Sequence, residues 1–546
     1  MKNSNIVTSI ARWFSQNILS LGNEMRFSYL PPLMVYMAAG ISGLSAIVGT
    51  FFVKDYLGLS AEFLAALGFW AMIPWALKIP VGHLVDLIWR YKGWLVVLGA
   101  SLIATSLLIM VGLLTDLAAM SAIMSAEKWY VWSVLLAPVG YVIQDVVADG
   151  MTVDAVPHHD VNGEDIPEAD LKLMHITMQT LGRVAIIGGS LLVAVVNLYI
   201  FRDISSLSEL EKVAAYGDIY RMSLLIPVIS VLGVGLAALF QYKETKQLIA
   251  SGMSQQEVHA LRLDAIDAIS PNWWILGGSL VFVAFTLSMG LSDYEYSQEV
   301  IFLGSMSIIS FLIYRLTREL KPEARATLIG TAIIIFVYRA IPSPGPGMTW
   351  WMIDQLEFDQ QFFSVLSLIG SMLTLTGMFI FRRFMAGHSL AYIVGMLTIA
   401  SSLLSLPFLG MFYGLHEWTA SLTGGVVDAR FIALIDTAIE SPLGQIAMIP
   451  MLAWIANSAP AHLKATFFAV MASFTNLALS LSQLGTKYLN QLYTVSREVR
   501  DPMTDVVKTA ADYSHLGTLI MLSLVIGLTL PFLAIFIVRI SPLKSA

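Results

Sequence analysis

The sequence predicts an all-α polytopic membrane protein, built as two six-helix halves with a two-helix insertion between them. Three observations predict this. Of 546 residues, 57% are hydrophobic and only 13% charged, against about 25% charged in an ordinary soluble chain. Apolar runs recur along the whole length, most near the roughly twenty residues that cross a bilayer. The first six and last six of these runs repeat one another.

Taken in order, the runs fall at 32–53, 61–85, 94–115, 129–152, 174–200 and 221–241. They continue at 273–292, 299–315, 326–353, 361–381, 389–413, 431–456, 466–492 and 515–539, which makes fourteen predicted spans. The predicted organisation is a cytoplasmic amphipathic N-terminus (1–31), a first half (32–241), a cytoplasmic linker (242–272), an inserted hairpin (273–325) and a second half with a short tail (326–546). The first thirty residues, with Arg12, Trp13, Phe14, Ile18 and Arg26, have the pattern of an amphipathic interfacial segment, with a targeting helix as the competing reading and no cleavable secretory signal expected. With the N-terminus inside, the inside loops carry Arg90 and Lys92, Lys243 and Lys246, Arg315, Arg318, Lys321 and Arg325, and Arg382 and Arg383. The outside loops 293–298 and 354–360 carry no Lys or Arg. This follows the positive-inside tendency, so both termini are expected in the cytoplasm and the chain in the plasma (inner) membrane.

The net charge of −7 comes without a basic block, so no nucleic-acid partner is expected. Cysteine is absent, which removes disulfides and thiolate metal sites. No phosphate-binding glycine loop occurs, and His158-His159 beside Asp160 is the nearest approach to a metal site, in a loop where solvation is the plainer expectation. Neither a metal, a cofactor nor an enzymatic reaction is expected. The partners expected are a small-molecule substrate, protons and the lipid bilayer.

The repeat is visible in particular residues. Phe51-Phe52-Val53-Lys54-Asp55-Tyr56-Leu57 aligns without gaps with Trp350-Trp351-Met352-Ile353-Asp354-Gln355-Leu356, and Asp145…Asp149 matches Asp436…Glu440 at a similar offset. Two parallel six-helix repeats are the plan of the major facilitator fold, whose substrate site lies between the halves near the midplane.

The most informative stretch is Thr327–Asp359: TLIGTAIIIFVYRA, then IPSPGPG, then MTWWMIDQLEFD. Pro342, Pro344 and Pro346 remove backbone donors and interrupt the helix. At membrane depth such backbone is tolerated where it is buried in protein or lines a cavity. Arg339 just before the break is costly to insert and marks a site or a specific partner. A gating helix with a fixed positive charge beside its hinge is expected.

On the fourth span Tyr141, Asp145 and Asp149 are spaced four apart and form one stripe. Asp436 and Glu440 are the counterpart. Carboxylates in such positions bind a proton, a sodium ion or a cationic group, or else neutralise a neighbouring cation; these four are the proton-coupling candidates. On the fifth span His175, Gln179 and Arg183 share a face, and the Asp145/Asp149 stripe is the expected partner of Arg183. Asn476, Ser480 and Gln483 on the thirteenth span read as interhelical glue. The second span ends in a Gly82…Asp86…Arg90 pattern similar to the G-x-x-x-D signature of major facilitators, without the basic residue usually next to the acid (Leu87 stands there). Gly82, Asp86 and Arg90 are gating candidates, as are the three prolines and Lys78, whose plainer alternative is to snorkel to the interface.

PWALKIPVGHLVD, DVVADG (Asp145 to Gly150), RAIPSPGPG with the following LEFDQQFFSVLSLIG, and PAHLKATFFAVMASFTNLALSLSQ (Pro460 to Gln483) resemble the folate–biopterin transporter family. The resemblance covers both halves in order. There are two departures: Ile79 stands in place of a proline after the family lysine, and Arg339 in place of a neutral polar residue. The resemblance implies transport of folate- or pteridine-type organic anions, coupled to protons, by alternating access. Under it Arg183 and Arg339 hold carboxylates, Tyr141, Trp350 or Trp351 stacks on the heteroaromatic ring, and Asp145, Asp149 or Gln179 serves its polar edge. The alternatives are a permease of the same fold for another organic anion, such as a muropeptide, or a membrane binding protein that moves nothing.

Overall fold

The computed structural model describes residues 25–57, 59–76, 78–88, 91–156, 166–250, 254, 273–290, 292, 294–318, 320–444, 446, 448, 451, 464–500 and 507–545. In the first half the helices are α1 (Leu30–Ile41), α2 (Ala46–Tyr56), α3 (Ala61–Ala76), α4 (Lys78–Leu87), α5 (Lys92–Thr115), α6 (Leu117–Ile123), α7 (Ala126–Asp154), α8 (Glu168–Ile200), α9 (Glu209–Ser223) and α10 (Leu225–Ala250). The hairpin is α11 (Trp273–Gly290) and α12 (Ser297–Thr317). The second half holds α13 (Pro322–Arg339), α14 (Pro346–Asp354), α15 (Gln360–Ile380), α16 (Arg382–Gly387), α17 (Leu390–Phe412), α18 (Leu415–Leu422), α19 (Ala429–Glu440), α20 (Lys464–Leu492) and α21 (Leu516–Ile540). A two-stranded antiparallel ribbon, β1 (Val499–Arg500) with β2 (Val507–Thr509), sits between α20 and α21.

Among the described residues nine helical runs are long and apolar enough to cross a bilayer: 27–54, 92–115, 126–152, 180–200, 211–250, 297–315, 360–380, 390–412 and 516–540. The predicted second, seventh, ninth, twelfth and thirteenth spans are not among them. The second and seventh form shorter apolar helices, at 61–76 and 276–290, the ninth is broken between α13 and α14, and the twelfth runs past residue 444 into residues that are not described. The molecule is an integral, multi-pass membrane protein.

Small residues let the helices approach closely, the usual device where lipid gives no hydrophobic drive. Gly99 on α5 and Gly140 on α7 face one another's backbone, and Ser106 Oγ donates 2.8 Å to the Ser133 carbonyl beside them. Between the halves, α3 packs along α20 and α8 along α15. The repeat relates the second span to the tenth and the fifth to the thirteenth. The two seams are therefore one helix contact used twice, exchanged by the internal symmetry. The inserted hairpin leans on the first of them: Ile301, Phe302 and Ile309 of α12 share a core with Phe69 and Ile73 of α3 and Leu477 and Leu484 of α20. Gln298 Nε2 donates 3.2 Å to the Ala66 carbonyl, and Lys487 pairs with Glu299 at 3.2 Å.

Candidate functional site

The first half builds a charge cluster from three helices. Asp145 and Asp149 lie one turn apart on α7, and α4 begins at Lys78, which points its ammonium between them. Lys78 Nζ is 2.7 Å from Oδ2 of each carboxylate. Tyr36 on α1 donates from its hydroxyl to the other oxygen of Asp149 at 2.6 Å. Two carboxylates against one ammonium leave one negative charge over. One proton can thus be taken up without dissolving the lysine–carboxylate contact. Of the two acids, Asp149 has both oxygens bonded, one to the Tyr36 hydroxyl and one to the Lys78 ammonium.

This geometry corrects the expected pairing with Arg183. Among the described residues neither carboxylate is within ion-pair distance of that guanidinium, which acts on Asp145 and Tyr36 only through space. Lys78, the first residue of α4, reaches the stripe instead. Nor does Lys78 snorkel: its side chain is 14% exposed.

The second half repeats the acids without the lysine. Asp436 on α19 is buried, with one carboxylate oxygen that has no hydrogen-bond partner among the described residues, and Glu440 follows one turn later. Arg339 closes α13. Its Nη1 lies 3.8 Å from the sulfur of Met448 and 3.7 Å from that of Met451, and among the described residues no carboxylate pairs with it. Thioethers are weak acceptors, so the guanidinium keeps most of its hydrogen-bonding capacity for something else.

The proline-rich break after Arg339 is bound to α20. Ser482, Thr486 and Asn490, each four residues apart, face it in turn. Ser482 Oγ donates 2.6 Å to the Ile341 carbonyl, the Ser343 N–H donates 3.0 Å to Thr486 Oγ1, and Asn490 Nδ2 donates 3.2 Å to the Pro344 carbonyl. The polar groups that the prolines free from the helix are satisfied by this stripe. Gly345 takes φ +89°, where a side chain is strained, and a Cβ there would stand 2.6 Å from Asn490 Nδ2. α14 then starts with Pro346 in its first turn.

At the far ends of α2 and α14 the halves close on each other. Lys54 Nζ is 2.5 Å from Asp354 Oδ1, and the Tyr513 hydroxyl donates to the same carboxylate. Arg497, from the segment between α20 and β1 and only 2% exposed, donates to the Val53 carbonyl and lies 4.9 Å over the Trp350 ring. On the same face Gln491 Nε2 donates 2.6 Å to Glu62, while Gln360 donates to the Tyr216 hydroxyl. Behind the ribbon, the side chain and N–H of Ser514 hold the Asp512 carboxyl below the usual carboxylate range.

The structure thus brings Asp145, Asp149 and Lys78 together, and Pro342, Pro344 and Pro346 onto α20. Trp350 and Trp351 are buried, with Trp350 under Arg497 and Trp351 5.7 Å from the Phe412 ring. Their rings are packed within protein in this conformation. Tyr141 is half-buried, packed against the first-half core. Gly82 sits where α4 approaches Val146 of α7, Asp86 falls in the last turns of α4, and Gln179 lies one turn before Arg183 on α8. Arg90, the N-terminal segment before residue 25 and His158-His159 lie outside the described residues. Tyr36, Lys54, Asp354 and the Ser482–Thr486–Asn490 stripe were not foreseen as site residues. The four-residue spacing of that last stripe was the available signal.

Residues 39–544 match the BT1 family. A protein of Synechocystis named a folate-biopterin transporter is 23% identical over 480 residues, covering 87% of this chain and 77% of its own. Among solved structures, a POT family transporter in complex with a thioalcohol-conjugated peptide superposes with a TM-score of 0.56 at 12% identity, covering 93% of this chain and 95% of that one. A POT family transporter in complex with 5-aminolevulinic acid gives 0.55 at 13% identity over 93% and 95% of the two chains, and a peptide transporter POT in complex with sulfate 0.53 at 15% over 94% of each. These likenesses establish the fold, two six-helix halves of the major facilitator type. With a match that spans both halves, the broken helix and the carboxylate stripes, the chain belongs to the BT1 family of membrane transporters.

Proposed function

We propose that the protein is a secondary transporter of folate- or pteridine-type organic anions, working by alternating access between the two halves and coupled to protons. The observation that carries this is Arg339. It is an intramembrane guanidinium, beside the break in a helix of the second half, with thioethers and no carboxylate against it among the described residues. Such a charge is costly unless an anion completes it, and a folate tail offers carboxylates that fit its fork. The name of the Synechocystis relative supports the substrate class.

Coupling is assigned to Asp145 and Asp149, whose joint charge with Lys78 has room for one proton, with Asp436 and Glu440 as the second titratable pair. Arg183 supports anion binding from the first half, within electrostatic range of Asp145. Tyr141 is the ring-stacking candidate in the first half; Trp350 and Trp351 serve that role only in a conformation that uncovers them. Gating is assigned to Lys78, Gly82, Asp86 and Arg90 at one end and to the Pro342–Pro346 break near the midplane. The loop charges support cytoplasmic termini in the plasma (inner) membrane.

The test is uptake of labelled folate and of labelled biopterin into proteoliposomes, with and without an inward proton gradient. Gradient-stimulated uptake of either supports the reading. No uptake of either moves the substrate to another organic anion, and uptake indifferent to the gradient removes proton coupling.

A further inference from the structure

We propose that the groove between α11 and α12 of the inserted hairpin is a binding site for one anionic phospholipid. An acyl chain lies along Gly277 and Gly278, and the phosphate rests at Arg315, Arg318 and Arg325.

The groove has a volume of about 570 Å³, and its walls are apolar: Trp274, Gly277, Gly278 and Val281 from α11, Phe311 and Leu312 from α12. No atom lies within 4 Å of where a Cβ would stand on Gly277 or Gly278, so the two glycines leave a trough. Exposed Leu280, Val281, Leu287 and Leu303 surround it, on the side of the hairpin turned away from the α3–α20 seam. In a membrane protein that side faces the bilayer. Water is excluded there, so hydrocarbon fills the trough.

The groove's open end coincides with a cationic cluster. α11 begins at Trp273 and α12 ends at Thr317, so antiparallel packing brings the first turn of one beside the last turn of the other. Arg315 lies 4.2 Å over the Trp274 ring, and Arg325 and Arg318 lie 5.2 and 6.0 Å from the Tyr314 ring. Among the described residues no carboxylate pairs with any of the three, Glu323 beside them included. Tryptophan and tyrosine with arginine at one level mark the headgroup layer, and basic clusters between helix ends recognise anionic headgroups. Apolar walls and, among the described residues, three arginines without a carboxylate partner at one end match the two parts of an anionic phospholipid; a zwitterionic lipid satisfies only the first.

Native mass spectrometry of the full-length protein, released from detergent micelles containing equal phosphatidylglycerol and phosphatidylcholine, tests this. The parent should retain phosphatidylglycerol at least about fivefold over phosphatidylcholine, and the triple variant Arg315→Gln/Arg318→Gln/Arg325→Gln should lose that preference. Arg315 and Arg318 are exposed and Arg325 half-buried, and a thermal midpoint equal to the parent's in phosphatidylcholine controls for folding. Gly278→Leu, which fills the trough, should lower retention of both lipids severalfold. Equal retention of the two lipids by the parent, unchanged preference in the triple variant, or unchanged retention in Gly278→Leu would each overturn the site.

Discussion

Lys54 and Asp354 form a 2.5 Å ion pair that ties the last turn of α2 to the last turn of α14. In the internal repeat these are the same turn: Phe51–Leu57 of the first half aligns with Trp350–Leu356 of the second. The pair therefore lies across the symmetry axis, with the cation from one copy and the anion from the other. Tyr513 and Arg497 brace it from the segment between α20 and α21. For the molecule to open at this end, Lys54 must leave Asp354 and Arg497 must leave the Val53 carbonyl.

Lys54→Met is accordingly expected to favour the state open at this end. In the proposed alternating-access cycle, loss of a half-buried pair made only in the closed state biases the equilibrium by about 1–2 kcal/mol, roughly 5- to 30-fold in population. Because the chain has no cysteine, Val53→Cys supplies a unique label at a position that is buried when the end is closed. Maleimide labelling of Val53→Cys should accelerate at least fivefold when Lys54→Met is added. Equal rates in the two backgrounds would remove the pair from the closing contact.

The Lys78 cluster makes a prediction about stability rather than access. Removing the lysine leaves two half-buried carboxylates one turn apart without the ammonium that lies 2.7 Å from each, and the cost should be about 1–3 kcal/mol, below that of a fully buried pair. Lys78→Met should therefore lower the thermal midpoint in detergent sharply. Adding Asp149→Asn removes one of the two like charges and should recover part of the loss, a coupling readable in a double-mutant cycle. Additive effects would mean that Lys78 and Asp149 do not act as a unit.

How much of this was legible beforehand follows from what hydropathy and spacing record. The repeat placed the second and tenth, and the fifth and thirteenth, spans in equivalent roles, and the α3–α20 and α8–α15 seams follow that equivalence. Asp145 and Asp149 were visible as one stripe because they share a helix. Their cation was not, because Lys78 is 67 and 71 residues away and spacing within a helix says nothing about which neighbour turns toward it. Arg183, on the next helix, looked nearer in sequence than it is in space. The 497–513 brace was hidden for another reason: it sits outside the apolar runs, in a polar segment whose ribbon forms from short-range pairing such as Ser496 with Asp512.

The α20 stripe separates polar residues that hold the break from those that merely sit nearby. Thr486→Val leaves the Ser343 N–H without its acceptor on α20, and Asn490→Ala removes a donor from the Pro344 carbonyl. Each should cost about 0.5–1.5 kcal/mol. Gly345→Ala should be at least as harmful, since it meets both the strained φ and the Asn490 amide. Ser480, on the same helix, has a buried hydroxyl with no hydrogen-bond partner among the described residues, so Ser480→Ala should be neutral or stabilising. Denaturation midpoints of the four variants would check the order. A Ser480→Ala loss as large as that of Thr486→Val would show that burial, not bonding to the break, sets the cost.

Arg339 allows the substrate assignment itself to be examined one residue at a time. Arg339→Gln keeps a donor of similar reach but removes the charge and the fork. The parent side chain has only two methionine sulfurs against it among the described residues, so the substitution breaks no internal ion pair there and the fold should survive. A carboxylated folate loses a charge-assisted contact that contributes about 1.5–3 kcal/mol, equivalent to a tenfold or greater rise in the concentration for half-maximal uptake. Unconjugated biopterin has no carboxylate to lose and should be affected much less. Concentration series for both substrates in proteoliposomes of parent and variant supply the comparison. An equal loss for the two would mean that Arg339 acts on the conformational cycle or on stability and does not hold the substrate's carboxylate.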